Sequence, residues 1–88
     1  MSESAEFKST DFTEEMQEDA GTQASLAVEQ FDQENDVSRH IKRFFDAKYY
    51  PTWHCVSGSD FASAVSGDVK AFAYFKVGTL SILLWKCG

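Results

Sequence analysis

The sequence contains few of the features that anchor or cross-link very small proteins. Its 88 residues include two cysteines and one proline. Cys55 and Cys87 can form one disulfide at most, which is too few for a disulfide-rich secreted scaffold. The first six residues lack the basic and apolar regions of a secretory signal. The longest unbroken apolar run has five residues, 71–75, whereas a membrane-spanning helix needs roughly 18. These absences predict a reducing, cytosolic setting without membrane insertion.

Basic residues are also scarce, and this bears on the class of partner. Eight Lys and Arg residues stand against 14 Asp and Glu residues, which gives a net charge of −6. Such a charge repels phosphate backbones, so we expect no nucleic-acid partner. The aromatic content of 15% is that of a folded chain. We expect one domain over residues 1–88, with about the first five disordered, and a homodimer, because a core this small usually needs a further means of stabilisation.

Two amphipathic helices are predicted in the first half, after a short strand over residues 5–9. Thr13 has the side chain of an N-cap, and acidic residues follow it at Glu14 and Glu15. We expect Asn35 to cap the second helix and Pro51 to end it near Lys48 or Tyr49. Apolar residues recur at helical spacing in the two helices, at Met16, Ala20, Ala24, Ala27 and Phe31, and at Val37, Ile41, Phe44 and Phe45.

The second half predicts strands. Short runs separated by glycine-containing turns occupy residues 53–57, 61–66, 71–77 and 80–86. Gly78 and Thr79 have the length of a tight hairpin loop. The last run is apolar at both alternating sets of positions, so one face of the sheet is expected to lie against the helices and the other against a second subunit. The fold class is α+β, with two N-terminal helices packed on an antiparallel sheet.

Catalytic templates are missing, so we expect no enzyme and no cofactor. The sequence has no glycine-rich phosphate loop, no Cys-x-x-Cys and no nucleophile elbow. His54 and Cys55 are adjacent in a predicted strand, where neighbouring side chains point to opposite faces. They are therefore not expected to share a metal ion or a proton, and a packed thiol beside an interface histidine is the favoured interpretation.

Small side chains between Phe61 and Ser66 leave that strand open to another extended chain. This pattern allows β-strand addition, although a strand that only packs would have the same composition.

Long segments of the sequence resemble the eight-kilodalton class of cytoplasmic dynein light chains. The resemblance rests on three stretches: Arg-His-Ile-Lys-Arg-Phe-Phe-Asp-Ala-Lys-Tyr-Tyr-Pro-Thr-Trp-His-Cys-Val at 39–56, Thr-Glu-Glu-Met-Gln at 13–17, and Ile-Leu-Leu-Trp-Lys at 82–86 with the closing Gly88. It implies a homodimer in which the strand starting at Phe61 crosses to the partner's sheet. It also implies two grooves that take client segments, often with Gly-Ile-Gln-Thr-like or Thr-Gln-Thr-like motifs, as added strands.

The resemblance also assigns residues to these sites. We call the residues of the peptide-binding groove the groove set: Phe61, Ala62, Ser63, Ala64, Val65, Ser66, Gly67, Phe72, Tyr74, Lys76, Glu34, Asn35 and Lys8. The dimer interface is expected to include His54, Trp53, Thr52, Ser63 and Val65. No metal site is expected.

Several groove positions depart from the family pattern. Ala64, Ser66, Gly67, Asn35 and Lys76 stand where the family has tyrosine, threonine, histidine, lysine and tyrosine. Cys87 replaces a serine whose phosphorylation is associated with monomer formation in some members. The resemblance therefore leaves the preferred motif open.

The function that follows is a cytoplasmic, cytoskeleton-associated hub of the dynein motor complex, with dynein intermediate chain and other motif-bearing proteins as partners. The alternative is a structural dimer of an axonemal or surface assembly that no longer binds standard motifs.

Overall fold

A four-stranded antiparallel sheet with two helices on one face forms the domain. The computed structural model describes residues 5–58 and 69–87. The strands lie in the order β1-β3-β4-β2, which confirms the predicted α+β class. In chain order the elements are β1 (Ala5–Thr10), α1 (Glu14–Gln30), α2 (Glu34–Tyr49), β2 (Trp53–Gly58), β3 (Val69–Val77) and β4 (Leu80–Cys87). Ala5, the first residue of the predicted short strand, pairs with Val77.

Helix α1 begins as its sequence predicts. The Thr13 side chain accepts a hydrogen bond from the backbone N–H of Met16 at 3.3 Å. Three alanines of the predicted stripe, Ala20, Ala24 and Ala27, are fully buried. Because these side chains are small, α1 lies close to α2 and to strand β3.

Helix α2 begins differently from the prediction and ends as predicted. Its N-cap is Gln33, which makes no side-chain capping bond, so the assignment of Asn35 as the cap is wrong. The backbone N–H groups of Asp36 and Val37 both donate to the Gln33 carbonyl, which puts Asn35 inside the first turn. The helix ends at Tyr49, just before Pro51. Neither helix of the described residues is long and apolar enough to cross a membrane.

The strands confirm the predicted hairpin and its two apolar faces. Gly78 adopts a φ of 61° in the two-residue turn between β3 and β4, a region that glycine enters without steric cost. Ile82 and Leu84 are fully buried towards the helices, while Leu83 lies on the opposite face of the sheet, which we call the outer face. Strand β3 starts at Val69, before a register shift, rather than at the predicted Ala71.

Aromatic rings fill the core between helix α2 and the start of β2. Phe45 lies 4.9 Å from Trp53 and 5.8 Å from Phe12, measured between ring centroids. Phe12 also meets Trp53 edge-on at 5.8 Å, an arrangement that aromatic quadrupoles favour. This cluster fixes β2 against α2.

Candidate functional site

Among the described residues, strand β2 forms a free edge of the sheet, and the start of α2 lies beside it. Within the described residues β2 pairs only with β4, so its other side presents unpaired backbone groups. The Ser57 hydroxyl donates a hydrogen bond to the carbonyl oxygen of Glu34 at 2.7 Å. Glu34 and Asn35 are exposed there. Two members of the groove set are thus placed at a strand edge that could accept another chain.

Three further members of the groove set lie on the outer face of β3. Phe72, Tyr74 and Lys76 alternate with Ala73, Phe75 and Val77, which are buried towards the helices. Their cross-strand neighbours on β4 are Trp85, Leu83 and Ser81, in that order, and directly paired residues share a face. Phe72 and Tyr74 therefore belong to an apolar surface on the outer face.

Within residues 5–58 and 69–87, a single chain does not bring the described members of the groove set together. Strand β4 separates β3 from β2, a distance of about 10 Å at ordinary strand spacing. Lys8 lies on β1, at the opposite edge of the sheet, where its ammonium pairs with Glu6 at 2.9 Å. The remaining members, 61–67, lie outside the described residues. Because β1 pairs with β3 and Glu6 lies directly opposite Lys76, the described members occupy two separate places, one at the start of α2 beside β2 and one on β1 and β3.

The residues expected at the dimer interface also divide between surfaces. His54 is exposed on the outer face, where its ring stacks on Trp85 at 5.4 Å. Thr52 is exposed just before β2. Trp53 has only 1% of its surface exposed and lies in the core, and its backbone N–H is bound to Asp46, so its place at the interface stays a prediction. Ser63 and Val65 lie outside the described residues.

Val56 is a surface residue that the sequence prediction missed. Its side chain is 44% exposed, and its position two residues after His54 places it on the same face of β2. That alternation was visible in the sequence. Together with His54, Leu83 and Trp85, it extends the apolar outer face as far as the free edge of β2.

His54 and Cys55 point to opposite faces, as predicted. Cys55 packs against the core, and burial raises the pKa of its thiol to about 12. The thiol is therefore protonated at neutral pH and is a poor nucleophile. Within residues 5–58 and 69–87, no three His, Cys, Asp or Glu side chains form a group that could hold a metal ion.

Asp46 anchors the start of β2 to α2. Its carboxylate accepts hydrogen bonds from the backbone N–H of Trp53 at 2.8 Å and from the Lys42 ammonium at 2.5 Å. Burial raises the pKa of this carboxyl, but the hydrogen bonds and the Lys42 charge lower it by more, so its pKa lies below the usual value. The start of β2 is therefore held against α2 by an ionised side chain.

A second polar cluster joins the two helices. The Lys48 ammonium lies 2.6 Å from Asp19 and 3.2 Å from Glu15. The Tyr49 hydroxyl donates a hydrogen bond to the same Asp19 carboxylate. Burial, followed by this hydrogen bond, raises the pKa of Tyr49 to about 12. The acidic residues of α1 that face α2 are thus compensated by a cation.

Comparison with known proteins identifies the family. The model of the family described as dynein light chain type 1 matches residues 4–87. The chain belongs to this family. Two structures of the dynein light chain-like domain of the Fasciola hepatica calcium binding protein FhCaBP2 are similar to it. One has a TM-score of 0.80 and 23% identity and covers 98% of this chain and 93% of that one. The other, a mercury derivative, has a TM-score of 0.82 and 22% identity and covers 100% and 96%.

The dynein light chain-like domain of CsTAL3 is similar as well, with a TM-score of 0.78, 13% identity and coverage of 93% of this chain and 90% of that one. The TM-scores show that these light-chain-like domains share a fold with the chain. At identities this low, the similarity shows the fold alone. The family and the fold both agree with the resemblance drawn from the sequence.

Proposed function

We propose that the chain is a non-catalytic homodimeric hub that binds short extended segments of other proteins by β-strand addition and thereby holds two clients together. The observation that carries this proposal is the free edge of β2, with Glu34 at the start of α2 beside it, in a chain of the dynein light chain family. In the proposed dimer the predicted strand 61–66 of the partner pairs with this edge, and the outer edge of that strand then accepts the client. Its unpaired backbone groups provide affinity for the client backbone, and side chains around the edge select the client's sequence.

The apolar outer face supports dimerisation. No described helix packs on this face, which includes Val56, Leu83 and Trp85. Leu83 is already buried at 6% exposure, so a second copy would remove from water mainly the exposed Val56 and His54 and the half-buried Trp85. Two subunits would also explain why the groove set is divided, if the predicted strand 61–66 of one subunit pairs with β2 of its partner.

The partners follow from the family. Dynein intermediate chain and other proteins with extended linear motifs are the proposed clients, and the dynein motor complex on the cytoplasmic cytoskeleton is the proposed setting. Backbone pairing depends little on side chains, so the departures at Asn35, Ala64 and Lys76 should change the preferred motif more than the mode of binding.

Dimerisation can be tested with two substitutions at equally exposed apolar residues. Val56 on the outer face and Leu26 on α1 are each 44% exposed. Val56→Asp would bury a charge in the proposed interface and should give monomers in sedimentation equilibrium, whereas Leu26→Asp should leave the dimer intact. Circular dichroism checks that both variants are folded. A folded Val56→Asp protein that remains dimeric at micromolar concentration would contradict the proposed interface.

Client binding can be tested by calorimetry with a Thr-Gln-Thr-containing peptide. Saturable binding of one peptide per subunit supports the hub. An intact dimer that binds neither this peptide nor a Gly-Ile-Gln-Thr-containing one would favour the structural-dimer alternative. The double substitution Asn35→Lys and Ala64→Tyr should tighten binding of the first peptide if these positions set motif preference.

A further inference from the structure

We propose that the groove between β1 and α1, which we call the β1 groove, is a second docking surface that takes a basic, extended segment of a partner protein as an added strand. It lies at the opposite edge of the sheet from β2. The proposal goes beyond client binding at β2 and does not depend on it.

The β1 groove has the size and lining of a protein-binding surface. Its volume is about 710 Å³, and it is a shallow groove open to solvent rather than an enclosed cavity. Ala5 and Phe7 form its strand side, while Gly21 and Leu26 lie on its helix side. Leu26 is 44% exposed, so the groove offers an apolar contact that is still open to solvent.

Among the described strands, the strand side of the groove is a free edge of the sheet. In the described part of the chain, β1 pairs with β3 alone, and the backbone groups on its other side have no strand partner. An extended chain can use these groups as the next rung of the sheet. The six residues of β1 extend about 20 Å, which is the length of a strand of six or seven residues.

Charge determines the chemistry of the occupant. Each charged side chain that lines the groove is acidic, at Glu14, Glu18 and Glu29. These three carboxylates make no ion pair within residues 5–58 and 69–87, in contrast to Glu15 and Asp19 on the side that faces α2, which pair with Lys48. The three residues span about 22 Å of helix, close to the length of the strand edge.

A basic segment therefore fits, and a second copy of this chain does not. Lys or Arg side chains that point towards α1 would meet the three carboxylates, and one apolar side chain among them would meet Leu26. Two copies joined through their β1 edges would instead bring the three groove carboxylates of each copy together, and this local repulsion opposes pairing of two copies through this edge.

The test uses the full chain and a defined peptide. The probe is Lys-Thr-Lys-Thr-Leu-Thr-Lys, acetylated and amidated, in which alternate residues present Lys and Leu to one side. Two control peptides carry Glu in place of every Lys, or Pro in place of the central Thr. Titration of the ¹⁵N-labelled protein by NMR locates the binding site, and fluorescence anisotropy measures the affinity at low and high salt.

We expect saturable binding below roughly 1 mM, with amide shift changes along β1 and α1 and weaker binding at high salt. Both control peptides should fail to bind. Glu18→Lys should weaken binding about fivefold or more, because an attraction becomes a repulsion. Asp32→Lys makes the same charge change at an exposed position outside the groove and should change affinity by less than about twofold, because salt screens it.

Three results would overturn the proposal: no saturation, equal effects of Glu18→Lys and Asp32→Lys, or shift changes confined to β2 and the start of α2. Concentration-dependent shift changes of β1 without any peptide would also overturn it, because they would identify a second copy as the occupant. Because the β2 edge is tested with a different peptide, failure here leaves the proposed hub function intact.

Discussion

Replacing Asp46 should loosen the connection between α2 and the edge strand β2. The Asp46 carboxylate accepts the backbone N–H of Trp53 at 2.8 Å and binds Lys42. A hydrogen bond to a charged group contributes about 1.5–3 kcal/mol, whereas the partly exposed pair with Lys42 contributes only about 0.3–0.5 kcal/mol. We therefore expect Asp46→Ala to lower the free energy of unfolding by about 2–3 kcal/mol. Asp46→Asn keeps an acceptor for the N–H and should cost about 1 kcal/mol.

The pH dependence separates charge from shape. The pKa of Asp46 in the folded chain lies below its usual value of 3.8. The ionised carboxylate therefore stabilises the fold fully above the unfolded-state pKa, and this stabilisation is lost as the pH falls through the folded-state pKa. The difference in unfolding free energy between wild type and Asp46→Asn should thus be full at pH 7 and shrink between about pH 5 and pH 2.

Urea unfolding followed by circular dichroism, at one fixed protein concentration, measures these differences. Asp36→Asn is the matched control, because Asp36 lies on the same helix in a long, exposed pair with Arg39 at 3.9 Å and should cost less than about 0.5 kcal/mol. If the difference between wild type and Asp46→Asn were the same at pH 7 and pH 2, or if Asp36→Asn cost as much as Asp46→Ala, the reasoning would be refuted.

Three further predictions concern packing and reactivity. In a Cys87→Ser background, Cys55 should react with a thiol reagent at least roughly a hundredfold more slowly in the folded than in the urea-unfolded protein, because its thiol pKa is about 12; equal rates would contradict this. Gly21→Ala should raise the urea midpoint, since alanine favours the helix by about 1 kcal/mol and the new Cβ meets only the Ala5 methyl group at 3.3 Å; a lower midpoint would show that β1 cannot yield. Ala24→Leu should lower the free energy of unfolding by about 1–3 kcal/mol, because the site is fully buried; an unchanged urea midpoint would show unfilled space beside α1.

Local signals in the sequence explain which elements could be predicted. Thr13 caps its own helix, Pro51 restricts the residue before it, and Gly78 supplies the turn between β3 and β4; each acts on neighbours within a few positions. The cap of α2 could not be found in this way. Asn35 is the better capping side chain, yet the chain enters the helix two residues earlier at Gln33, where the backbone carbonyl alone starts the helical turn.

The candidate site was less predictable than the fold because its surfaces depend on strand order and on alternation. A shift of one residue moves a side chain to the other face, and this decides that Trp53 fills the core while His54 faces outward. The separation of Lys8 from Glu34 follows from the order of strands in the sheet. That order cannot be predicted from any single segment of the sequence. The β1 groove has no sequence motif, because it joins one face of α1 to a strand before it.

The pairing of the strands has a consequence for how the domain assembles and opens. β3 and β4 are joined by a two-residue turn, so their pairing closes almost no loop, whereas β1 pairs Ala5 with Val77 near the opposite end of the chain. The loop-closure entropy makes that contact slow to form and leaves it without local reinforcement. We therefore expect the β3–β4 hairpin to protect its amide protons longest and β1 to dock last and detach first. A partner strand added at the β1 groove would then stabilise the strand of the sheet that detaches first.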